Sequence, residues 1–390
     1  MTQHPSIQPH PSDADPEPDH LRRDNDVTPG PAILRLPIDE TPDPDRFVQA
    51  AMDWHFDPAT GSPFWLKLAG SLSFDPRRDV RTLPDLARFP NVTDELRDVP
   101  AEDLIPRGYG ARPDVVGVFE SGGTTGAPKR VAILRDWWER RRDWEGSRLA
   151  ALGVPGASSL DLIPSGPHMA GVLSRLSAQE TGALIFTIDM DPRWVKQLLA
   201  DGRAAEADAY AEHLIDQAAH ILRTQTVGVL RCTPPLLTRL ARRADLVELV
   251  RTNVRAIVWT GAHMDPDTRH LLRAEVFPDV TVVGAYGNTM LLGSAIERPG
   301  LADDEPCILD PFSPYILVSV VDPDSGRVVP YGERGRVLTT HISRSFFLPS
   351  NLERDVATRI EPLPGQVGDS LADVAPVERF GGRPVIEGVY

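Results

Sequence analysis

Residues 121–130 read SGGTTGAPKR and follow the apolar run VVGVF (115–119) with one residue between. Glycines at 122, 123 and 126 let backbone N–H groups close around an anion; Ser121, Thr124 and Thr125 add hydroxyl donors, and Lys129 adds a mobile cation. Placed after a strand, such a loop suits a polyphosphate. A glycine-rich turn with an incidental lysine accounts for the composition equally well. Two standard phosphate loops do not fit. Walker A requires G-x-x-x-x-G-K-[ST], but Ala127 and Pro128 separate Gly126 from Lys129, and G-x-G-x-x-G is not met after the strand.

Four further segments carry reactive or ligand-binding side chains: DLIPSGPHMAG (161–171) with His168, WTGAHM (259–264) with His263, AYGNTM (285–290) with Tyr286 and Thr289, and ERDVATRI (353–360) with Asp355. Taken singly, His168 reads as a core histidine, Tyr286 as a packing aromatic and Asp355 as a surface carboxylate beside Arg354 and Arg359. Taken together and in this order, the five segments resemble the adenylate-forming superfamily of acyl-CoA synthetases, peptide-synthetase adenylation domains and luciferases. Residues 121–129 match that family's [ST]-[SG]-G-T-T-G-x-P-K loop throughout, and DLARFPNVTDELRD (85–98) looks most like its phenylacetate-CoA ligase branch.

The resemblance implies ATP-dependent adenylation: a carboxylate attacks the α-phosphate and pyrophosphate leaves, held by Ser121, Gly122, Gly123, Thr124, Thr125, Gly126 and Lys129. It implies that Tyr286 stacks on adenine beside Gly261 and Ala262, that Asp355 takes the ribose hydroxyls, and that Thr289 contacts the α-phosphate. Lys129 and Thr289 are then the catalytic residues, His168, His263 and Gly287 border the acyl group, and ATP and Mg2+ are the cofactors.

The pattern also departs from the family's. Met290 stands where the family has a magnesium-binding glutamate, and a thioether is a poor ligand for a hard cation. Glu297 is a distant substitute candidate. The chain given ends at ERFGGRPVIEGVY, with Arg383 where the family's hinge arginine lies, and no lysine follows Lys196. The expectation is a core without the family's C-terminal subdomain and its lysine. Loss of one oriented donor costs about 10² to 10³ in rate, so turnover is expected to be weak or partner-dependent. In this the chain resembles C-terminally truncated adenylating proteins of phenazine-antibiotic biosynthesis, which implies an aromatic carboxylic acid passed to a separate reductase or transferase. Two alternatives stand beside this: a non-catalytic nucleotide or acyl-adenylate binding protein, and a core completed by a partner's C-terminal domain.

The elements that must position these residues are legible in outline. The 390 residues exceed what one core needs. A net charge of -15 disfavours nucleic acid or an anionic membrane as partner. Cys232 and Cys307 are too few for a disulfide framework, and no apolar run reaches membrane-spanning length, so a cytoplasmic protein is expected, with a homodimer possible. Residues 1–30, rich in Pro and Asp, read as a disordered tail and 31–110 as a helical N-terminal part. Alternation of β-branched runs with helical stretches predicts parallel βαβ units over 111–225, which carries the phosphate loop, and over 226–300. VVGVF is expected to be one of those strands. Residues 301–390, with YILVSVVD, GRVVP and GRVLTTHI, predict a small β-barrel-like part. The fold class is therefore α/β, and the resemblance implies an adenylate-forming core of two α/β parts and a small β-barrel-like part. Trp137, Trp138 and Trp144 are expected to pack rather than to bind ligand.

Overall fold

The computed structural model describes residues 27–121 and 127–377, with the backbone at 379–380 and 383–384. The first elements are helices α1 (Pro44–Phe56), α2 (Pro63–Ala69) and α3 (Pro76–Asp79), followed by short 3₁₀ turns. Each opens on a proline whose missing N–H costs nothing there, and Asp43, Ser62 and Asp75 accept backbone N–H groups as N-caps. This part is fastened to the far end of the chain. The indole N–H groups of Trp54 and Trp65 donate to the carbonyls of Arg344 (2.7 Å) and Phe347 (2.8 Å). Phe56, Trp65, Phe89 and Phe347 pack edge-on or stacked, each phenylalanine contributing about 1.5–3 kcal/mol of burial. The chain is already tied down at Thr28, whose N–H donates to the Gly108 carbonyl at 2.9 Å, so the tail expected to reach residue 30 ends earlier.

VVGVF does not join the parallel sheet. It lies in β1 (Val115–Glu120), which forms a separate antiparallel hairpin with β2 (Arg130–Leu134), a strand that the sequence reading passed over. The glycine-rich stretch therefore links two paired strands, and a helix, α4 (Arg135–Ala151), starts only after β2. Trp137 and Trp138 of α4 are buried as expected, Trp137 donating to the Leu292 carbonyl.

The βαβ rhythm holds from there: β3 (Ser159–Leu162), α5 (Met169–Thr181), β4 (Ile185–Thr187), α6 (Pro192–Ala200), α7 (Ala204–Thr224), β5 (Val229–Cys232), α8 (Pro234–Ala241), α9 (Ala244–Asn253), β6 (Ala256–Trp259), α10 (Pro266–His270) with a π-helical turn at Leu271–Val276, and β7 (Thr281–Asn288). Strands β4, β3, β5, β6 and β7 pair in parallel in that order, and residue 225 falls inside this unit rather than between two. β3, β5 and β6 are almost wholly buried, as strands covered on both faces must be.

Midway along β7 the sheet changes character. Thr281 to Gly284 pair in parallel with β6, whereas Ala285 to Asn288 pair antiparallel with β8 (Gly293–Glu297). The antiparallel part continues through β9 (Ile308–Pro311), β13 (Ser370–Pro376), β12 (Phe347–Ile360), β11 (Arg334–Ile342) and β10 (Ile316–Val321), so the region expected as a barrel-like part extends one eleven-stranded mixed sheet. GRVVP forms no strand, contributing a single bridge from Val328 to Val321. Two-residue strands β14 (Arg379–Phe380) and β15 (Arg383–Pro384) follow. No helix of the described residues is long and apolar enough to cross a membrane.

Candidate functional site

In a parallel sheet ligands collect outside the carboxyl ends of the strands, where the strand order reverses. Here the order reverses between β3 and β5, and residues just past both, Ile163, Pro164 and Thr233, line a cavity of about 490 Å³. The loops after β6 and β7 form more of its wall, and β12 and β13 close it opposite. Ser121, Lys129, His168, Gly261, Ala262, His263, Tyr286, Gly287, Thr289 and Asp355 all line this one cavity, although as many as 234 positions separate them in sequence. Gly122, Gly123, Thr124, Thr125 and Gly126 lie outside the described residues.

The described ends of the glycine-rich segment form a closed pair. Ser121 N–H donates to the Lys129 carbonyl, and Lys129 N–H to Ser121 Oγ, both at 2.9 Å. The Lys129 side chain is 15% exposed, with Nζ 3.9 Å from Asp94 Oδ1. Burial, helped by the nearby Arg97 guanidinium, lowers its pKa. Asp94 and Arg97 belong to DLARFPNVTDELRD, which thus contributes wall next to Lys129.

Two side chains expected on different parts of a nucleotide instead hold each other: Tyr286 O–H donates to Asp355 Oδ2 at 2.8 Å. Burial raises the pKa of both. Thr289 Oγ1 donates to the Glu120 carbonyl at 3.0 Å, fixing the end of β7 to the end of β1. Gly287 lines the cavity, but its missing side chain answers first to packing, since a Cβ would meet the Gly293 carbonyl oxygen at 2.6 Å. His263 Nδ1 pairs with the Val374 carbonyl at 2.7 Å, and His168 precedes α5 as its N-cap residue, its pKa lowered by burial and by Arg193.

Met290 is only 5% exposed and packs in the core with Leu291 and Leu292 while its edge reaches the cavity. The substitute proposed for it, Glu297, is not in the cavity wall. It is 3% exposed, ion-paired with Arg269 and with Arg273 (2.9 Å), and accepts the Gly284 N–H at 2.7 Å. Glu297 is thus a structural carboxylate rather than a metal ligand.

The structure adds residues that the sequence reading missed. On β11, Arg336 pairs with Val356 and Leu338 with Leu352, so three residues of β12 oppose Val337 alone. This bulge turns Glu353, Arg354 and Asp355 into the cavity together, the usual service of a bulge beside a site. Glu353 accepts from Asn288 Nδ2 (2.8 Å) and from Asn351; burial and then Asp355 push its pKa up to about 7. Glu120 is a junction: its N–H donates to the Pro167 carbonyl, its carbonyl holds Thr289, and its carboxylate pairs with Arg130 (2.9 Å) and Arg193 (2.6 Å). Lys196, on α6, also lines the cavity. Its rarity was a signal, since the chain has three lysines, whereas Glu120 and Glu353 carried none without the β1–β2 pairing and the bulge.

No family model matches the chain, and no curated protein matches it. Solved structures do. An open conformation of 2-hydroxyisobutyryl-CoA ligase in complex with 2-HIB-AMP and CoA has a TM-score of 0.59 at 18% identity, over 84% of this chain and 67% of that one. The same ligase in its thioesterification state gives 0.57 at 18% identity, over 88% and 67%. ATP-bound MatB from Rhodopseudomonas palustris gives 0.47 at 16%, over 70% and 51%. The chain spans about half the length of MatB and of the ATP-bound RpMatB-BxBclM chimera. The chain thus shares the mixed α/β fold of 2-hydroxyisobutyryl-CoA ligase.

Proposed function

We propose that the chain adenylates a carboxylic acid with ATP, releasing pyrophosphate. The observation that carries this reading is the convergence of Ser121, Lys129, Tyr286, Thr289 and Asp355 from three separate stretches on one cavity at the strand-order reversal. A carboxylate is a poor electrophile with no acceptable leaving group; joined to AMP it becomes a mixed anhydride. Such a transfer needs alignment and charge stabilisation more than covalent chemistry. Lys129 would hold the departing pyrophosphate. Tyr286 and Asp355 exchange their mutual hydrogen bond for the nucleoside, and Thr289 positions the α-phosphate against the β1 end.

Magnesium fits the residues present if the nucleotide supplies most of its oxygens. No cluster of three metal-ligating side chains occurs among the described residues, but magnesium commonly takes one carboxylate with phosphates and water. Glu353 is that carboxylate, facing the cavity, and bound magnesium would neutralise phosphate charge there.

Ile163, Met169, Ala170 and Met264 give the cavity lining apolar surface, which suits an acid with an apolar body. The aromatic class of the acid, a phenazine-type pathway and a separate reductase or transferase as recipient rest on the sequence resemblance. Met290 favours a second reading, a nucleotide-binding protein without turnover. The test is pyrophosphate release from ATP with a panel of aromatic and aliphatic acids. Release that depends on one acid class is expected; ATP binding with no release from any acid overturns catalysis and leaves the second reading.

A further inference from the structure

Asn288, the last residue of β7, lines the cavity, and its side chain is bonded on both sides. Oδ1 accepts the N–H groups of Met290 and Leu291, both at 2.9 Å, and Nδ2 donates to Glu353 Oε1 at 2.8 Å. The amide has one orientation, since a flipped amide would set its NH2 against two N–H donors and its oxygen against a carboxylate. Oδ1 so placed closes an Asx turn, the local bond by which an asparagine shapes the backbone that follows it. That turn carries Thr289, whose Oγ1 donates to the Glu120 carbonyl. One side chain thus ties the turn after β7 to a carboxylate on β12, 65 positions along the chain.

Glu353 is held on one side. Its Oε1 takes the Asn288 bond, a second from Thr339 Oγ1 at 3.3 Å and a third from Asn351 Nδ2, whereas Oε2 takes no hydrogen bond among the described residues. Three donors on one oxygen fix how the carboxylate is turned, and a charged acceptor strengthens each bond. Oε2 is left for a ligand of the cavity, which Glu353 lines. Glu353 and Lys129 feel each other's charge, so the carboxylate acts on the residue assigned to pyrophosphate. A neighbour that hydrogen-bonds a metal-binding carboxylate both orients it and tunes its hold.

Resting on the adenylation reading, and on Glu353 as the carboxylate for magnesium, we propose that Asn288 is a positioning residue: it anchors Glu353 Oε1, leaving Oε2 for the cation that accompanies the nucleotide. Because the same amide holds the Met290–Leu291 turn, the carboxylate and Thr289 are set in one frame. Met290, a poor ligand itself, lies in the turn that Asn288 ties to Glu353.

The probe is ATP, titrated by calorimetry across magnesium concentrations into the full chain, Asn288→Ala, Glu353→Gln and the double variant. Hydrogen-bond partners of a metal ligand are worth about 10- to 100-fold in metal affinity, so Asn288→Ala is expected to raise the magnesium midpoint roughly tenfold. If Asn288 acts through Glu353, the double variant has the midpoint of Glu353→Gln alone. A double-variant midpoint nearer the product of the two single effects means a merely structural brace and overturns the proposal. So does a folded Asn288→Ala whose midpoint stays within about twofold of the unmutated chain. Asn288→Ser serves if the alanine variant does not fold: its hydroxyl can still accept the Met290 N–H but is too short to reach Glu353, and the same rise is expected. A chain that binds no ATP at any magnesium concentration refutes the adenylation reading. ATP binding whose magnesium midpoint does not move in Glu353→Gln overturns only the Glu353 and Asn288 assignments.

Discussion

Replacing Glu297 by Gln separates a metal ligand from a structural ion pair. The carboxylate is 3% exposed, and its partner Arg269 is 2% exposed with Nη1 held by the Glu305 carbonyl at 2.7 Å. Gln keeps the volume and can still accept from Gly284, so what is lost is the charge that compensates a buried guanidinium. Breaking a buried pair from one side costs about 3–5 kcal/mol. Unfolding entropy of about 2.1 cal/mol/K per residue over roughly 350 folded residues is about 0.7 kcal/mol/K, which converts that loss into a Tm lower by roughly 4–7 °C. Differential scanning calorimetry of wild type and E297Q at neutral pH measures the shift, and calorimetric titration of ATP across magnesium concentrations measures the metal. The expected result is the lower Tm with an unchanged magnesium midpoint. A Tm within 1 °C of wild type, or a magnesium midpoint that moves several-fold, refutes the assignment of Glu297 to structure.

Three further outcomes are expected. Lys129→Ala weakens ATP and pyrophosphate binding at least about tenfold and AMP binding much less, since the lost cation faces the loop end of the cavity; equal loss of all three by calorimetry counts against a polyphosphate grip. Glu353→Gln raises the magnesium concentration needed for half-maximal ATP binding, whereas an unmoved titration removes Glu353 as the ligand. Acid destabilises the fold in a defined window: burial holds His55 near 4 and His341 near 3, against an ordinary 6.5. The unfolded chain takes up protons below about pH 6.5 that the folded chain refuses, so Tm is steady above that value and falls as pH drops from 6.5 toward 4; a flat Tm between pH 7 and 5 contradicts it.

The sequence by itself determined four of the five parallel strands and the list of segments that meet at the cavity. β4 to β7 were legible as the apolar runs ALIFTID, VGVL, RAIVWT and TVVGAYG, a pattern that needs no partner to be read, whereas β3 (SLDL) carries Ser159 and Asp161 and shows as a strand only through its pairing with β4 and β5. The residues named at 121, 129, 168, 261–263, 286, 287, 289 and 355 all line one cavity: the segments after β3 and β6 and the end of β7 open there, outside the carboxyl ends of the strands, while the β1–β2 hairpin brings 121 and 129 and antiparallel β12 brings 355. Tertiary structure alone decided the rest. RVAIL became β2 only through pairing with β1, which made the glycine-rich stretch a hairpin connection instead of a strand-to-helix turn. Glu297 looked available to a metal until Arg269 and Arg273 closed on it. The β12 bulge depends on a register set with β11, so no local pattern shows that Glu353, Arg354 and Asp355 face inward together. A strand's side-chain period is local, but its register and its irregularities belong to its neighbours, and the charges of this cavity are arranged by those neighbours.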